Sequence, residues 1–264
     1  MYKEMISRLF TSYKSDDEIY HDLMQFRVRE ILLVATIYDA FILEQEGKLT
    51  ELIFGEYYQL NLSTAPRVTS VAFGEEALAM LDKRRFDMVI LTMRIDEMSP
   101  FELCSKIREK ESDIPVLLLL SDDQDLALIE NEGERLRLFD RIFTWNGDAK
   151  VLLAMIKYIE DKINVVNDTR IGLVRVILLV EDSIHYYSRY LPVLNTQIMK
   201  QTQKLIADEN LDEMKKLLRM RTRPKVLIAA TYEEAVEIFD RYRDYLLCVI
   251  SDVKFPRKGK VDEQ

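Results

Sequence analysis

Residues 87–103 read DMVILTMRIDEMSPFEL. The aliphatic run that opens this stretch has the density of a strand buried on both faces of a parallel sheet. A turn follows, and PFEL begins a helix. Strand, turn and helix in that order are half of a β–α–β crossover, which makes the fold class α/β. Thr92 raises a chemical question. The pattern around it suits a carboxylate at the strand end, and a hydroxyl stands there.

The alternation extends both ways. Upstream, EILLVA (30–35) and RVTSVA (67–72) read as strands, with helical segments FILEQEGKLTELIF and GEEALAMLDKR after them. Downstream, IPVLLLL (114–120) and DRIFTW (140–145) read as strands four and five, and DAKVLLAMIKYIEDKI closes the unit as a long helix. Residues 1–28 read as a helical lead-in, with Ser15 as N-cap before Asp16, Asp17 and Glu18, and with Ile19, Leu23 and Phe26 at helical spacing. The first domain is placed at 29–164, and residues 165–174 read as a linker by composition.

The order then restarts over 175–264. RVILLV (175–180) repeats the first strand, KVLIAA (225–230) the second and YLLCVISD (245–252) the third, while YEEAVEIFDRYR repeats GEEALAMLDKRR. This is an internal repeat whose second unit carries the first three strands and an extended helical insertion over about 183–223. An outermost strand three would leave an open edge that invites pairing with another copy.

Composition bounds the function. The 264 residues are 48% hydrophobic, enough for two cores, and 7 Gly and 6 Pro argue against a turn-rich all-β fold. A net charge of −9 disfavours general nucleic-acid binding. Two histidines and two separated cysteines, Cys104 and Cys248, cannot assemble a zinc site; both cysteines read as small apolar core residues. No signal peptide is visible and the longest apolar run is too short to span a bilayer, so a soluble cytoplasmic protein without membrane partners is expected. Nucleotide-binding and hydrolase motifs are absent, so no enzyme is expected within this span.

The decisive strings are ILLVEDS (177–183) and VISDVKFP (249–256). They place Glu181 and Asp182 after one strand and Asp252 at the end of its neighbour. Both units resemble response-regulator receiver domains. The resemblance implies a flavodoxin-like doubly wound parallel sheet of order 2-1-3-4-5 in the first domain, followed by a truncated second copy. Such domains carry an acidic pair after strand one, a phospho-acceptor Asp ending strand three, a Thr or Ser ending strand four and a Lys ending strand five. Crowded carboxylates repel one another and hold Mg²⁺. The resemblance therefore implies Asp252 as phospho-acceptor, and Glu181, Asp182 and Asp252 with the backbone of Lys254 as metal ligands. Loop acids or helix caps, with Asp182 or Ser183 capping the next helix, are the alternative reading.

The first unit departs at every position. Ala35 and Thr36 replace the acidic pair, Thr92 the acceptor, Leu120 the hydroxyl and Trp145 the lysine. Its scaffold is kept and its site dismantled. The strings ILLVEDSIHYYSRYLP and LLRMRTRPKVLIAATYEEA further resemble the N-terminal regulatory region of bacterial PEP/pyruvate-binding proteins, relatives of phosphoenolpyruvate synthase and pyruvate phosphate dikinase. That implies a phosphorelay-type regulatory region, with a downstream ATP-dependent phosphotransferase domain in cis or a histidine kinase in trans as partner. The alternative is a non-phosphorylated interaction scaffold in which the helices build a homodimer. The amphipathic stretch HYYSRYLPVLNTQIMKQTQKLI, with Pro192 near its start, is expected to pack or dimerise.

Overall fold

The computed structural model describes residues 20–36, 65–121, 123–129, 132–145, 147–148, 150–207, 220–257 and 260–261. The expected helix FILEQEGKLTELIF, the Ser15 cap and the break near Asn210 lie outside them. The chain forms two compact units. One comprises residues 28–159 with 184–192, the other 1–27, 160–183 and 193–264.

The N-terminal unit is built on five parallel strands: β1 (Glu30–Val34), β2 (Arg67–Val71), β3 (Met88–Thr92), β4 (Val116–Leu120) and β5 (Arg141–Thr144). Their order is β2-β1-β3-β4-β5, which is the doubly wound, flavodoxin-like arrangement. Every residue of β3 and β4 is buried, as strands covered on both faces require. Helices α1 (Gly74–Lys83) and α2 (Pro100–Lys110) lay Ala77, Leu81, Phe101, Cys104 and Ile107 against Val34, Val89, Leu91 and Leu118. Helix α2 starts where its sequence dictates: the Ser99 hydroxyl accepts the Glu102 amide at 3.1 Å, and Pro100 fills the first turn. A short helix α3 (Asp123–Ile129) follows β4.

Helix α4 (Lys150–Gly172) departs from the sequence reading. Residues 165–172, expected as linker, continue the helix and bury Val165, Asp168 and Thr169. Packing of these buried side chains holds the segment in the helix. The helix ends at Leu173, which adopts the left-handed conformation at φ 51°.

The C-terminal unit holds a parallel three-stranded sheet of order β7-β6-β8, from β6 (Val176–Val180), β7 (Lys225–Ala229) and β8 (Leu246–Ser251). Helix α6 (Tyr232–Tyr242) covers it, capped by Thr231, whose hydroxyl accepts the Glu234 amide at 3.2 Å. A two-residue antiparallel pair, β9 (Pro256–Arg257) and β10 (Lys260–Val261), closes the described chain. Strand β8 is an edge strand and is exposed along most of its length, Leu247 at 58%.

Helix α5 (Ile184–Ala207) begins in one unit and ends in the other. Its first turns, placed by sequence in the second domain, belong to the N-terminal unit. The Tyr187 hydroxyl donates to the Ile142 carbonyl, its ring packs edge-on to Phe143 at 5.7 Å, and Ser188 Oγ accepts the Thr144 amide at 3.0 Å. The lead-in is also corrected. Residues 24–29 are not helical, because Asp168 and Asn164 take the Met24 and Phe26 amides.

Candidate functional site

The carboxyl edge of the C-terminal sheet gathers the three predicted acids. The Glu181 amide donates to the Ala229 carbonyl at 2.9 Å, carrying the β6–β7 ladder one residue past β6. The Asp252 amide donates to the Val180 carbonyl at 2.9 Å and does the same for β8. Adjacent parallel strands therefore deliver these side chains to one rim. One carboxylate oxygen each from Glu181, Asp182 and Asp252 lies within 4.8 Å of the others.

The three are unequal. Glu181 is buried, Asp182 half-buried and Asp252 exposed. Burial pushes the Glu181 carboxyl above its ordinary range and the charges of Asp252 and Asp182 push the same way, against the Ser183 amide that donates to Glu181 Oε1 at 3.1 Å. Asp252 Oδ1 accepts the following amide, Val253, at 2.6 Å. Lys254 is exposed, two residues beyond Asp252. Like charges held this close are relieved by a cation, and an all-oxygen carboxylate set suits a hard divalent ion such as Mg²⁺.

The same edge of the N-terminal unit presents Ala35 and Thr36 after β1 and Thr92 at the end of β3. Ala35 repeats the ladder bond of Glu181, its amide donating to Val71 at 3.1 Å, but it brings only a buried methyl. Thr36 is half-buried beside it. Thr92 is buried, and its hydroxyl lies 3.3 Å from the Val34 carbonyl and 3.0 Å from that of Arg94. It thus ties β3 to β1 and folds back the following turn. Leu120 is buried at the end of β4 and accepts the Trp145 amide at 2.7 Å. Asp96 lies in an isolated bridge with Phe73, and Asp39 is outside the described residues.

Sequence reasoning missed a carboxylate at this rim. Asp125 in α3 is buried, accepts the Ser121 amide at 2.8 Å, and lies 3.9 Å from the Arg94 guanidinium. Its local signal was a Ser-x-x-x-Asp spacing too common to stand out. Two buried ion pairs were missed as well, Asp161 with Arg223 and Asp168 with Lys225, at 2.7 and 2.9 Å. A lysine opening a strand and acids seven apart on α4 were the only trace of them.

Residues 54–133 match the family model of the response regulator receiver domain. Over that span the chain is similar to a response regulator receiver domain. The matched span lies in the N-terminal unit and includes β2, β3 and β4, with Thr92 at the end of β3. Among curated proteins the chain is similar to the heme response regulator HssR of Staphylococcus saprophyticus, 34% identical over 100 residues, covering 37% of this chain and 43% of that protein. It is also similar to HssR of Staphylococcus aureus, 30% identical over 92 residues, 35% of this chain and 39% of that protein. The matches thus span less than half the length of these relatives. Similar solved structures include the chemotaxis regulator CheY4 of Vibrio cholerae, 18% identical over 50% of this chain and 98% of that one, TM-score 0.37. Another is TrrA of Thermotoga maritima in complex with Mg²⁺-BeF, 20% identical over the same shares, TM-score 0.38. Among the described residues no helix is long and apolar enough to cross a membrane.

Proposed function

We propose that the chain is a phosphorelay regulatory region in which the N-terminal receiver is a contact module and the C-terminal unit bears the phospho-acceptor, Asp252. The convergence of Glu181, Asp182 and Asp252 within 4.8 Å carries the reading, set against Ala35, Thr36 and Thr92 in the other unit. In this reading an Asp252 carboxylate oxygen attacks the phosphorus of a phosphodonor, forms an acyl phosphate and releases the donor's leaving group. Glu181 and Asp182, with Asp252 and the Lys254 backbone, would hold Mg²⁺, which when bound neutralises charge on the transferring phosphoryl group. The exposed position of Asp252 leaves room for the donor, and buried Glu181 anchors the cluster.

The strand-four hydroxyl and strand-five lysine that accompany such a site in receivers have no counterpart among the described residues of this unit. The resemblance to PEP/pyruvate-binding proteins supports a downstream phosphotransferase domain as the target in cis, or a histidine kinase as the donor in trans. The test is incubation with acetyl phosphate and Mg²⁺, read by intact mass. Uptake of one phosphoryl group by the unaltered chain and none by Asp252→Asn is expected. No uptake, or equal uptake by both, refutes the reading.

The open edge of β8 favours a second reading, a scaffold that self-associates without phosphate. Residues 246–251 carry no charge or proline to block strand pairing. A dimer that is lost when Val249 is replaced by Lys, with no phosphoryl uptake, would establish it.

A further inference from the structure

In the C-terminal unit, residues 20–27 lie against the distal half of α4 and are gripped through their main chain. Asn164 Oδ1 accepts the Phe26 amide at 2.9 Å, and its Nδ2 donates to the Phe26 carbonyl at 2.8 Å. One side-chain amide thus reads both polar groups of a single residue. Asp168 Oδ1 accepts the Met24 amide at 3.0 Å, and Asn167 Nδ2 donates to the Asp22 carbonyl at 2.8 Å. Arg221 Nη1 approaches the carbonyls of Tyr20 and His21 at 3.1 Å each and that of Leu23 at 3.4 Å.

Leu23 is the deepest apolar anchor, beside the buried Met24. Leu23 is fully buried over Gly172, where an added Cβ would lie 2.8 Å from Leu23 Cδ2. The seat is also set independently of its occupant. Asp168 Oδ2 is fixed by Lys225 Nζ at 2.9 Å, and neither side chain is exposed. Side chains reading main-chain groups, a fixed carboxylate and a pocket for one aliphatic residue make a peptide-recognition arrangement, distinct from a strand paired into a ladder.

We propose that this face of α4, with Arg221, is a peptide-binding seat for a short segment that carries a leucine at a turn, and that residues 20–27 fill it as an intramolecular ligand. The strap opens without unfolding the sheet, and the vacated seat then takes the same segment in trans. The left-handed Met24, at φ 48°, places two successive read positions on the seat and gives the strap its kink.

Two measurements on the full chain decide it. In the unaltered chain the Met24 and Phe26 amides should exchange with deuterium at least about tenfold faster than those of β6, because a local opening is cheaper than a global one. Equal rates would make the strap an integral element and overturn the proposal. Second, Leu23→Asp vacates the pocket and leaves the seat intact. A fluorescent peptide of residues 20–28 should bind this variant saturably, and bind at least about tenfold more weakly to the unaltered chain and to Leu23→Asp with Gly172→Val. No binding to Leu23→Asp while its β6 amides stay protected, or equal binding to all three chains, overturns it. Should Leu23→Asp lose β6 protection, the exchange rates in the unaltered chain decide.

Discussion

Lys225 Nζ lies 2.9 Å from Asp168 Oδ2, and neither side chain has any exposure to solvent. Burial pulls the lysine's proton affinity down, the nearby Arg223 charge adds to that, and Asp161 and Asp168 oppose it. The lysine opens β7 and the aspartate sits near the end of α4, so the pair bonds helix to sheet. Lys225→Met leaves Asp168 buried and without its cation. The expected loss is about 3–5 kcal/mol. Hydrogen exchange of the β6 and β7 amides in denaturant checks it. Adding Asp168→Asn, which keeps an acceptor for the Met24 amide, should recover much of the loss, because a neutral pair needs no buried counter-charge.

Glu181 gives a pH dependence of definite sign. Its folded carboxyl is raised, chiefly by burial, so between the ordinary glutamate value and the raised one the folded state holds more protons than the unfolded. The contribution of Glu181 to stability is therefore complete below the unfolded value and is lost as pH rises through the folded one. Thermal melts of Glu181→Gln should show a flatter pH dependence than the unaltered chain across that window. In the proposed function, millimolar Mg²⁺ at neutral pH should stabilise the unaltered chain and have a smaller effect on Glu181→Gln and Asp252→Asn.

Thr92 is a structural tie in the N-terminal unit. Thr92→Val preserves shape and removes the hydroxyl that approaches the Val34 and Arg94 carbonyls. A cost of about 1 kcal/mol is expected, with no change in phosphoryl uptake. Thr92→Asp should destabilise more, since it buries a carboxylate where Ala35 and Thr36 offer no metal partners. It should not confer uptake at residue 92. Chemical denaturation and intact mass after acetyl phosphate test the two statements.

Tyr187 docks the start of α5 onto β5 through its hydroxyl and its edge-on contact with Phe143. Tyr187→Phe should cost about 1 kcal/mol through the lost hydrogen bond. Tyr187→Ala should cost about 3–5 kcal/mol through the cavity left behind. Faster exchange of the β5 amides would locate the damage in the N-terminal unit.

The strands of both sheets were legible because uninterrupted aliphatic runs such as 116–120 have few other uses in a chain of this composition. That Glu181, Asp182 and Asp252 stand at strand ends was equally legible, because each follows an aliphatic run closely. Their convergence follows from parallel pairing of β6 with β8, a local consequence of strand order.

Tertiary structure decided the rest. Composition marked 165–174 as linker, yet Asp168 and Thr169 are helical residues whose polar groups are engaged inside the fold. Helical spacing pointed to Phe26, yet its amide and carbonyl are claimed by a residue 138 positions away. Residues 184–192 pack against β5 in the first unit although they follow the first strand of the second. Local pattern records which residues are apolar and how they repeat. Which buried charge meets which, and which unit a segment joins, depends on contacts between residues far apart in sequence, and periodicity carries no trace of those.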